Sequence, residues 1–354
     1  MFQLPLYKND NQCSINTQYT SLDNIERLKG AIQEGELSLV ENQCLCCNPN
    51  REKDLVITEK DRYGFAVPQL LCSKCGLIRS KWVFNEESNN LFYSKYYRGI
   101  YAQDIKTPYE SLFKDQYNRG KNILALIEGI LQLNEIHDIA EIGSGMGGII
   151  LPFYEKGCQV RGFDYDEDYL EYGRRKGLSL ICGDFYDYVS DESCDLLIMS
   201  HVFEHFLHPL YELRRLIRKV RINKFLYIEV PGIFNIDKVY KSPILYFQNA
   251  HVYNYYKDYL WFLFEDFGLH VLYGDESCRF IVRRVKRDIP EVDFIYSDKL
   301  SKYPQLIANY LITTKEKYEW NSRIEKIKKS IKSTRLLRFL IHLVTSKTSK
   351  RNIK

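Results

Sequence analysis

Hydrophobic positions recur with a regular period over one long stretch of the chain, residues 120–287. Apolar residues three or four positions apart over 123–131 predict a helix, and the short apolar runs that follow predict strands. The predicted strands are 138–142, 159–163, 178–181, 195–199, 225–230, 270–273 and 279–285, and the predicted helices among them are 149–156, 167–176, 209–220 and 257–267. Strands that alternate with helices indicate an α/β domain with a parallel, doubly wound sheet.

The rest of the chain is less regular. A short helix is predicted near 22–32, and one or two basic helices are predicted beyond Arg287. We therefore divide the chain into four parts. They are a small cysteine-containing N-terminal module (1–80), a segment rich in Tyr and Phe (81–119), the α/β domain (120–287) and a helical, basic tail (288–354).

The charge is distributed unevenly. The chain has 50 Lys and Arg and 46 Asp and Glu, a net charge of +4, yet residues 322–354 alone hold 11 Lys and Arg and one Glu, a local +10. The other 321 residues are therefore net acidic, at −6. The sequence shows neither an apolar run of the ~18 residues that a membrane span needs nor a signal-peptide pattern at its start. We expect a cytoplasmic protein, not a secreted disulfide scaffold, a membrane-spanning protein or a disordered chain.

The spacing of the cysteines indicates a metal site. Cys44-x-x-Cys47 and Cys72-x-x-Cys75 are separated by 24 residues, which fits four thiolates around one Zn²⁺. Such a site leaves no open coordination position for a substrate, so we expect the zinc to be structural. Whether Cys46 replaces one of these ligands is left open. The alternative is a set of buried or reactive free thiols.

A glycine-rich loop follows the first predicted strand. The sequence there is Glu141-Ile142-Gly143-Ser144-Gly145-Met146-Gly147-Gly148, and such glycines let the backbone turn tightly and approach a ligand. This loop alone also satisfies the dinucleotide pattern Gly-x-Gly-x-x-Gly. The loop alone therefore does not identify its ligand, and the residues after the next two strands decide. Asp164 can accept hydrogen bonds from two ribose hydroxyls, and Asp184-Phe185 offers a carboxylate and an aromatic ring to adenine.

With these features, residues 138–285 resemble the class I S-adenosylmethionine-dependent methyltransferases. The segment Asp195-Leu-Leu-Ile-Met-Ser-His201-Val-Phe-Glu204-His205-Phe206 and the later Leu226-Tyr-Ile-Glu-Val-Pro231 belong to the resemblance. It implies a Rossmann-like sheet with S-adenosyl-L-methionine at the carboxyl ends of the strands. The cofactor-binding residues that it implies are Glu141, Gly143, Ser144, Gly145, Gly147, Asp164, Tyr165, Asp184, Phe185 and Ser200.

The order of the parts also resembles a zinc-knuckle-containing subgroup that acts on nucleotide-linked sugars and related glycans. Cys75-Gly76-Leu77-Ile78 is similar to the second knuckle of that subgroup, and the resemblance would cover most of 44–285. It implies that the N-terminal module covers the acceptor site and that Tyr96, Tyr97 and Tyr101 lie near a sugar. For any one of these tyrosines, the alternative is a half-buried helix face.

Three histidines are candidates for the general base. Methyl transfer from a sulfonium is an in-line displacement, and a sugar hydroxyl has a high pKa and must lose its proton as the new bond forms. His251 is the first choice, followed by His205 and His201. His251 lies where the similar sugar C-methyltransferases carry their base, although only the last histidine of their motif is present here. We therefore favour O-methylation, with C-methylation as the alternative.

The leading prediction is a methyltransferase (EC 2.1.1.-) that acts on a sugar or glycan hydroxyl in polysaccharide biosynthesis. The basic, amphipathic tail is typical of peripheral binding at the inner face of a membrane, where each base contributes about 1 kcal/mol, and this would suit a lipid-linked acceptor. Packing of the tail on the protein is an alternative. An RNA methyltransferase is disfavoured because residues 1–321 are net acidic, and a non-catalytic, membrane-docking adaptor is the remaining option. The oligomeric state is not predicted.

Overall fold

The computed structural model describes residues 4–15, 22–46, 53–101, 108–291 and 298–333. The N-terminal part of the described chain forms a small module with one helix and short strands. Its elements are α1 Leu22–Gln33, β1 Leu39–Glu41, β2 Leu55–Thr58, β3 Gln69–Leu71, β4 Ile78–Ser80 and β5 Trp82–Phe84. Strands β2, β3 and β4 form an antiparallel sheet, and β1 pairs with β5. The helix predicted near 22–32 is confirmed as α1.

The segment rich in Tyr and Phe is helical. Its elements are α2 Glu86–Leu91, one turn of π-helix Phe92–Tyr96 and α3 Tyr97–Tyr101. Asn85 caps α2, because its side-chain oxygen accepts the N–H of Ser88 at 2.8 Å. Such a cap supplies an acceptor to one of the N–H groups that the first helical turn leaves unpaired.

The α/β domain and the C-terminal helix follow. Their elements are α4 Tyr109–Glu128, β6 Asp138–Ile142, α5 Leu151–Glu155, β7 Gln159–Asp164, α6 Glu167–Arg174, β8 Ser179–Cys182, α7 Phe185–Tyr188, β9 Cys194–Ser200, α8 Pro209–Lys219, β10 Val220–Glu229, α9 Ile236–Val239, α10 Pro243–Tyr246, β11 Tyr253–Asn254, α11 Lys257–Asp266, β12 Leu269–Gly274, β13 Arg279–Arg284 and α12 Tyr303–Ser333. Each strand and helix that the hydrophobic pattern predicts within 120–287 is present; strand 138–142 has the predicted bounds, and the ends of the others are shifted.

The central sheet of the described chain has seven strands in the order β12-β13-β10-β9-β6-β7-β8. Strands β6 to β10 are parallel to their neighbours in this set, as the sequence predicts. The prediction of a parallel sheet is wrong for β13, which runs antiparallel to both β10 and β12. The reason is local: residues 275–278 join β12 to β13 by a short turn, and a parallel connection needs a crossover.

Both faces of this sheet are covered. All seven residues of β9 are buried, and residues 196–199 alternate between two hydrophobic clusters. Leu197 and Met199 contribute to one cluster, whereas Leu196 and Ile198 contribute to the other. This alternation follows from the period of two residues in a strand, and it leaves the carboxyl ends of the strands as the edge where loops build a site.

The N-terminal module is attached to this edge because a strand from the α/β part of the chain joins the sheet of the module. Strand β11, which lies in the irregular stretch after β10, pairs antiparallel with β4 of the module. The hydroxyl of Ser80 also donates to the carbonyl of His251 at 2.9 Å. As a result, the segment around His251 is held between the module and the α/β domain.

The C-terminal helix α12 packs with its first half only. Ile307, Ala308 and Leu311 are buried, whereas nearly all residues from Glu316 to Ser330 are exposed. Residues 334–354 lie outside the described part of the chain, so membrane contact by the basic tail stays a prediction. Among the described helices, none combines the length and the apolar character that crossing a bilayer requires.

Candidate active site

The glycine loop turns at the end of β6. Gly143, Gly145 and Gly147 have φ angles of +67°, +53° and +75°, a region that residues with a Cβ avoid. A Cβ on Gly143 would also lie 2.7 Å from Cγ2 of Val202. The loop is tied to the neighbouring strand, because the N–H groups of Gly143 and Ser144 donate to the carbonyl of Phe163 at 2.8 and 3.1 Å. Glycine is therefore needed at position 143 for both conformation and space.

Asp164 joins the end of β7 to this loop. One oxygen of its carboxylate accepts the N–H of Gly145 at 2.8 Å, and the other accepts the N–H of Asp166 at 3.0 Å. Burial raises the pKa of the Asp164 carboxyl group. Each carboxylate oxygen has a second lone pair, so the side chain keeps acceptors for the two hydroxyls of a ribose.

Glu141 is the unusual group of this loop. Its side chain is 1% exposed, and neither carboxyl oxygen has a hydrogen-bond partner among the described residues. Burial raises the pKa of Glu141 well above its ordinary value. A buried carboxyl group without a partner suits a ligand that brings donors or positive charge. The loop, Asp164 and Glu141 together therefore fit S-adenosylmethionine, which carries a sulfonium, an amino group and a ribose.

The other residues that we expected to bind the cofactor differ in burial and in their hydrogen bonds. Ser144 is buried and its hydroxyl has no partner among the described residues, and Ser200 at the end of β9 donates to Glu229 at 3.1 Å. Tyr165 is 71% exposed. Asp184 is exposed and caps α7 by accepting the N–H of Tyr186 at 2.9 Å. Phe185 is buried, with its ring edge-on to Phe163 at 5.2 Å, so in this structure it packs in the core.

The three candidate histidines converge on one carboxylate, that of Glu204. Its Oε1 lies 3.4 Å from Nδ1 of His201, 3.7 Å from Nε2 of His251 and 3.9 Å from Nε2 of His205. Glu204 is 1% exposed. Burial opposes the ionisation of its carboxyl group, but the three histidines outweigh burial and lower the pKa to about 2. The group is therefore a buried anion among imidazoles.

The tautomer of His205 follows from its contacts. Its Nδ1 lies 2.9 Å from the carbonyl oxygen of Ala250 and 3.0 Å from the hydroxyl of Tyr93. A carbonyl can only accept, so the proton of a neutral His205 is on Nδ1 and the lone pair is on Nε2. Burial is the main cause that lowers the pKa of His205, and the charge of Glu204 acts in the opposite direction. Nε2 is thus a proton acceptor whose protonated form Glu204 stabilises.

His251 and His201 differ from His205 in exposure. The His251 side chain is 4% exposed, that of His205 13% and that of His201 32%. Nε2 of His251 contacts the side-chain amide of Gln248, and its Nδ1 has no partner in the described chain. Burial lowers the pKa of His251 well below the ordinary value. His251 is consequently the most enclosed of the three candidates.

Aromatic rings cover the histidine cluster from the module side. Tyr97 stacks on Tyr101 with 4.7 Å between ring centroids, and it lies 4.9 Å from Tyr93. Tyr97 also meets the ring of His205 edge-on at 6.1 Å. Tyr96, which the resemblance placed here, points elsewhere and donates to Glu36 at 3.0 Å. Tyr93 takes its place, and the spacing of four residues between 93, 97 and 101 is the signal that could have identified it.

Sequence reasoning also missed three residues that position this cluster. Asp61 in the module is fully buried and accepts the N–H groups of Tyr63, Phe65 and Asn249, each at 2.9 Å. Gln248 contacts His251, and Glu204 is the centre of the cluster. No local pattern identifies Asp61 or Gln248, because their partners, Asn249 and Arg62, lie 188 and 186 residues away in the chain.

Four cysteines form a separate cluster in the module. Sγ of Cys46 lies 3.4 Å from the sulfurs of Cys44 and Cys72, and the sulfurs of Cys44 and Cys75 are 3.5 Å apart. These sulfurs lie within 4.8 Å of one another, a spacing compatible with four thiolates around one Zn²⁺. Cys47, the fourth ligand in the sequence prediction, lies outside the described residues. In the described chain, Cys46 completes the set.

Comparisons with known proteins bear on the α/β domain. A family model described as a methyltransferase domain matches residues 140–228. Among curated proteins, none matches this sequence. Similar solved structures include a chain of the complex between the Haloferax volcanii Trm112 methyltransferase activator and the putative methyltransferase, at 14% identity and a TM-score of 0.42, covering 51% of this chain and 96% of that chain.

Two further structures are similar. One is an S-adenosylmethionine-dependent methyltransferase from Archaeoglobus fulgidus, at 18% identity and a TM-score of 0.38, covering 58% of this chain and 93% of that chain. The other is from Methanosarcina mazei, at 17% identity and a TM-score of 0.36, covering 45% and 97%. The family match spans nearly all of β6 to β10, the strands that carry the glycine loop, Asp164 and the histidine cluster at their carboxyl ends. Residues 140–228, about a quarter of the chain, therefore match a methyltransferase domain.

Proposed function

We propose that this protein transfers a methyl group from S-adenosylmethionine to a hydroxyl of a sugar or glycan. The observation that carries the proposal is the cluster of histidines around the buried carboxylate of Glu204. His201, Glu204 and His205 of this cluster follow β9, beside the glycine loop, and Val202 among them packs against Gly143. A proton acceptor is thus close to the loop that fits the cofactor.

In this proposal, each of the following residues has a separate role in the reaction. Glu141 and Asp164 hold the cofactor, which supplies an electrophilic methyl group. Nε2 of His205 takes the proton of the acceptor hydroxyl, because its tautomer leaves a lone pair there and its side chain is more exposed than that of His251. Glu204 stabilises the resulting imidazolium at 3.9 Å, and His251 and His201 keep that carboxylate ionised.

The cover over the cluster supports a sugar as the acceptor. Tyr93, Tyr97 and Tyr101 present aromatic faces and hydroxyls, which suit the apolar and polar faces of a pyranose. The hydroxyl of Tyr101 donates to the side chain of Asn249, so this cover and the 248–251 segment form one wall. The resemblance to sugar methyltransferases points to the same class of acceptor.

The cysteine cluster is proposed as a structural zinc site with Cys44, Cys46, Cys72 and Cys75 as ligands. Its role would be to fix the module whose β4 strand pairs with β11, and so to position the segment around His251. Zinc analysis of Cys46→Ser and Cys47→Ser separates the two possible ligand sets. We expect Cys46→Ser to lose the metal and Cys47→Ser to retain about one zinc per chain.

The test of the proposed function is methyl transfer from labelled S-adenosylmethionine to a panel of nucleotide sugars and lipid-linked oligosaccharides. We expect label in a sugar as an O-methyl group, identified by NMR of the product. His205→Gln should lower turnover by about 10²-fold or more, the order expected for a lost base. The matched control is His208→Gln, because the His208 side chain is 63% exposed.

Two results would contradict this proposal. If RNA is labelled and no sugar is, the acceptor class is wrong. If His205→Gln retains full turnover while His251→Gln loses it, the base is His251, the first choice from the sequence.

A further inference from the structure

A second feature of the acceptor side is the guanidinium of Arg62. Arg62 is half-buried and donates to three uncharged acceptors. These are the carbonyl of Leu245 at 3.3 Å, the hydroxyl of Tyr63 at 2.7 Å and the side-chain oxygen of Gln248. Arginine has five N–H donors, so two remain in the described chain: one on Nη1, and that of Nε, which is buried and has no partner there.

Arg62 also lacks a salt-bridge partner among the described residues, although its charge acts on Asp61 and is one of the causes that lower the pKa of that carboxyl group against burial. Its sequence neighbour Asp61 is turned away, since both carboxylate oxygens accept backbone N–H groups. Across the described ranges of the chain, Arg62 forms no ion pair with an Asp or Glu. The buried Arg79 shows the contrast: its Nη1 lies 2.8 Å from the carboxylate of Asp54. Arg79 is therefore neutralised by a carboxylate of the chain, whereas Arg62 has no carboxylate within salt-bridge distance among the described residues.

Two paths of contacts join Arg62 to the histidine cluster. The first is direct: Gln248 accepts from Arg62 and contacts Nε2 of His251. The second runs through rings, from Tyr63 to Tyr101 at 5.1 Å, then to Tyr97 at 4.7 Å and to His205 at 6.1 Å. Arg62 and the histidines thus lie on one continuous wall. Burial is the main cause of the lowered pKa of His251, and the charge of Arg62 adds to it, which agrees with this proximity.

We propose that Arg62 binds an anionic group of the acceptor, a phosphate or a carboxylate, while the acceptor hydroxyl reaches the histidine cluster. The proposal rests on the proposed function and narrows its substrate class to charged sugars, such as sugar phosphates or uronic acids. A half-buried guanidinium without a salt-bridge partner gains a charge-assisted hydrogen bond when such a group binds, and planar recognition of oxyanions favours arginine over lysine. A neutral sugar would leave Arg62 without a salt-bridge partner among the described residues.

The test compares ligands that share a sugar and differ in charge. Binding of glucose 1-phosphate, glucuronate, inorganic phosphate and glucose to the full chain is measured by calorimetry in the presence of S-adenosylhomocysteine. We expect glucose 1-phosphate or glucuronate to bind at least tenfold more tightly than glucose, and the difference to shrink as salt is raised. Which of the two binds better identifies the anion, and inorganic phosphate shows whether the anion alone is sufficient.

The variants identify the residue responsible. Arg62→Gln should weaken the binding of the charged sugar at least tenfold and leave S-adenosylhomocysteine binding unchanged, and Arg62→Lys should recover part of the loss. If Arg62→Gln does not fold, Arg62→Lys alone is compared with the wild-type protein, and we expect at least a threefold weaker binding. Arg175→Gln is the matched control, since Arg175 is exposed on α6 and paired with Glu171 at 3.2 Å.

The inference is overturned if charged sugars bind the wild-type protein no better than glucose, or if Arg62→Gln and Arg62→Lys both bind them as well as the wild-type protein does. Its failure is distinct from that of the proposed function. Methyl transfer to a neutral sugar would refute the role of Arg62 and leave the proposed function standing. Arg62-dependent binding of a charged sugar without methylation of any sugar would support the role of Arg62 and refute the proposed function.

Discussion

The substitution Glu204→Gln tests the electrostatic centre of the histidine cluster. Glutamine has almost the same size as glutamate, so the change removes the negative charge and largely preserves packing. Nε2 of His205 lies 3.9 Å from Oε1 of Glu204. Two unit charges about 4 Å apart interact by about 4 kcal/mol at an effective dielectric constant of about 20.

This energy sets the expected shift. One pKa unit corresponds to about 1.4 kcal/mol, so full loss of the interaction would lower the pKa of His205 by about 3 units. Relaxation and water entry reduce this, and we expect a fall of about 1–3 units. The direction follows because removal of an anion destabilises the imidazolium and leaves the neutral ring unaffected.

The assay is an NMR titration of the imidazole nitrogens in protein labelled with ¹⁵N-histidine. The resonances of the cluster are assigned with single variants of His201, His205 and His251. The control variant Glu171→Gln, on the exposed face of α6, should leave every histidine titration unchanged. An unchanged or raised pKa of His205 in Glu204→Gln would refute the role that we assign to Glu204.

Three further outcomes follow from the structure. Gly143→Ala should weaken S-adenosylmethionine binding at least tenfold in calorimetry. The control is Gly177→Ala, at φ +87° with no atom within 4 Å of the added carbon, which should lose about 1 kcal/mol of stability to backbone strain and keep its affinity for S-adenosylmethionine. Equal affinity in the two variants would contradict this prediction. Asp61→Asn leaves one buried N–H without an acceptor, so urea unfolding should show a loss of about 1–3 kcal/mol. Burial raises the pKa of Asp61 to about 6, above its unfolded value of about 3.9, so this group's contribution to stability falls as pH rises from about 4 to 6, and the pH dependence should disappear in the variant. Removal of zinc by a chelator should lower the melting temperature of the wild-type protein and of Cys158→Ser, but not that of Cys46→Ser, and an unchanged wild-type melting temperature would argue against a structural metal.

Much of the fold could be predicted from the sequence because its signals are local. The strand 138–142 has the predicted bounds, since an apolar run between a polar turn and a glycine loop is unambiguous. The orientation of β13 was not predicted correctly, because orientation depends on the connection, and a four-residue turn gives an antiparallel pair.

The candidate site could be predicted only in part. The glycine loop and Asp164 follow strands directly, so their position at one edge of the sheet is a consequence of topology. The walls of the proposed acceptor site combine residues near positions 62, 97, 204 and 250, and one sequence does not reveal which distant segments meet. The choice of Tyr96 instead of Tyr93 has a local cause: adjacent residues of a helix do not share a face, whereas residues four apart, such as Tyr93 and Tyr97, do.

Binding of S-adenosylmethionine to the full chain, measured by isothermal titration calorimetry, tests the central claim most directly. The account predicts one site per chain in the wild-type protein, an affinity at least tenfold lower in Asp164→Ala, and no change in Asp168→Ala, a carboxylate exposed on the neighbouring helix. Absence of binding to the wild-type protein, or equal affinity in Asp164→Ala, would contradict the assignment of this edge of the sheet as the cofactor site.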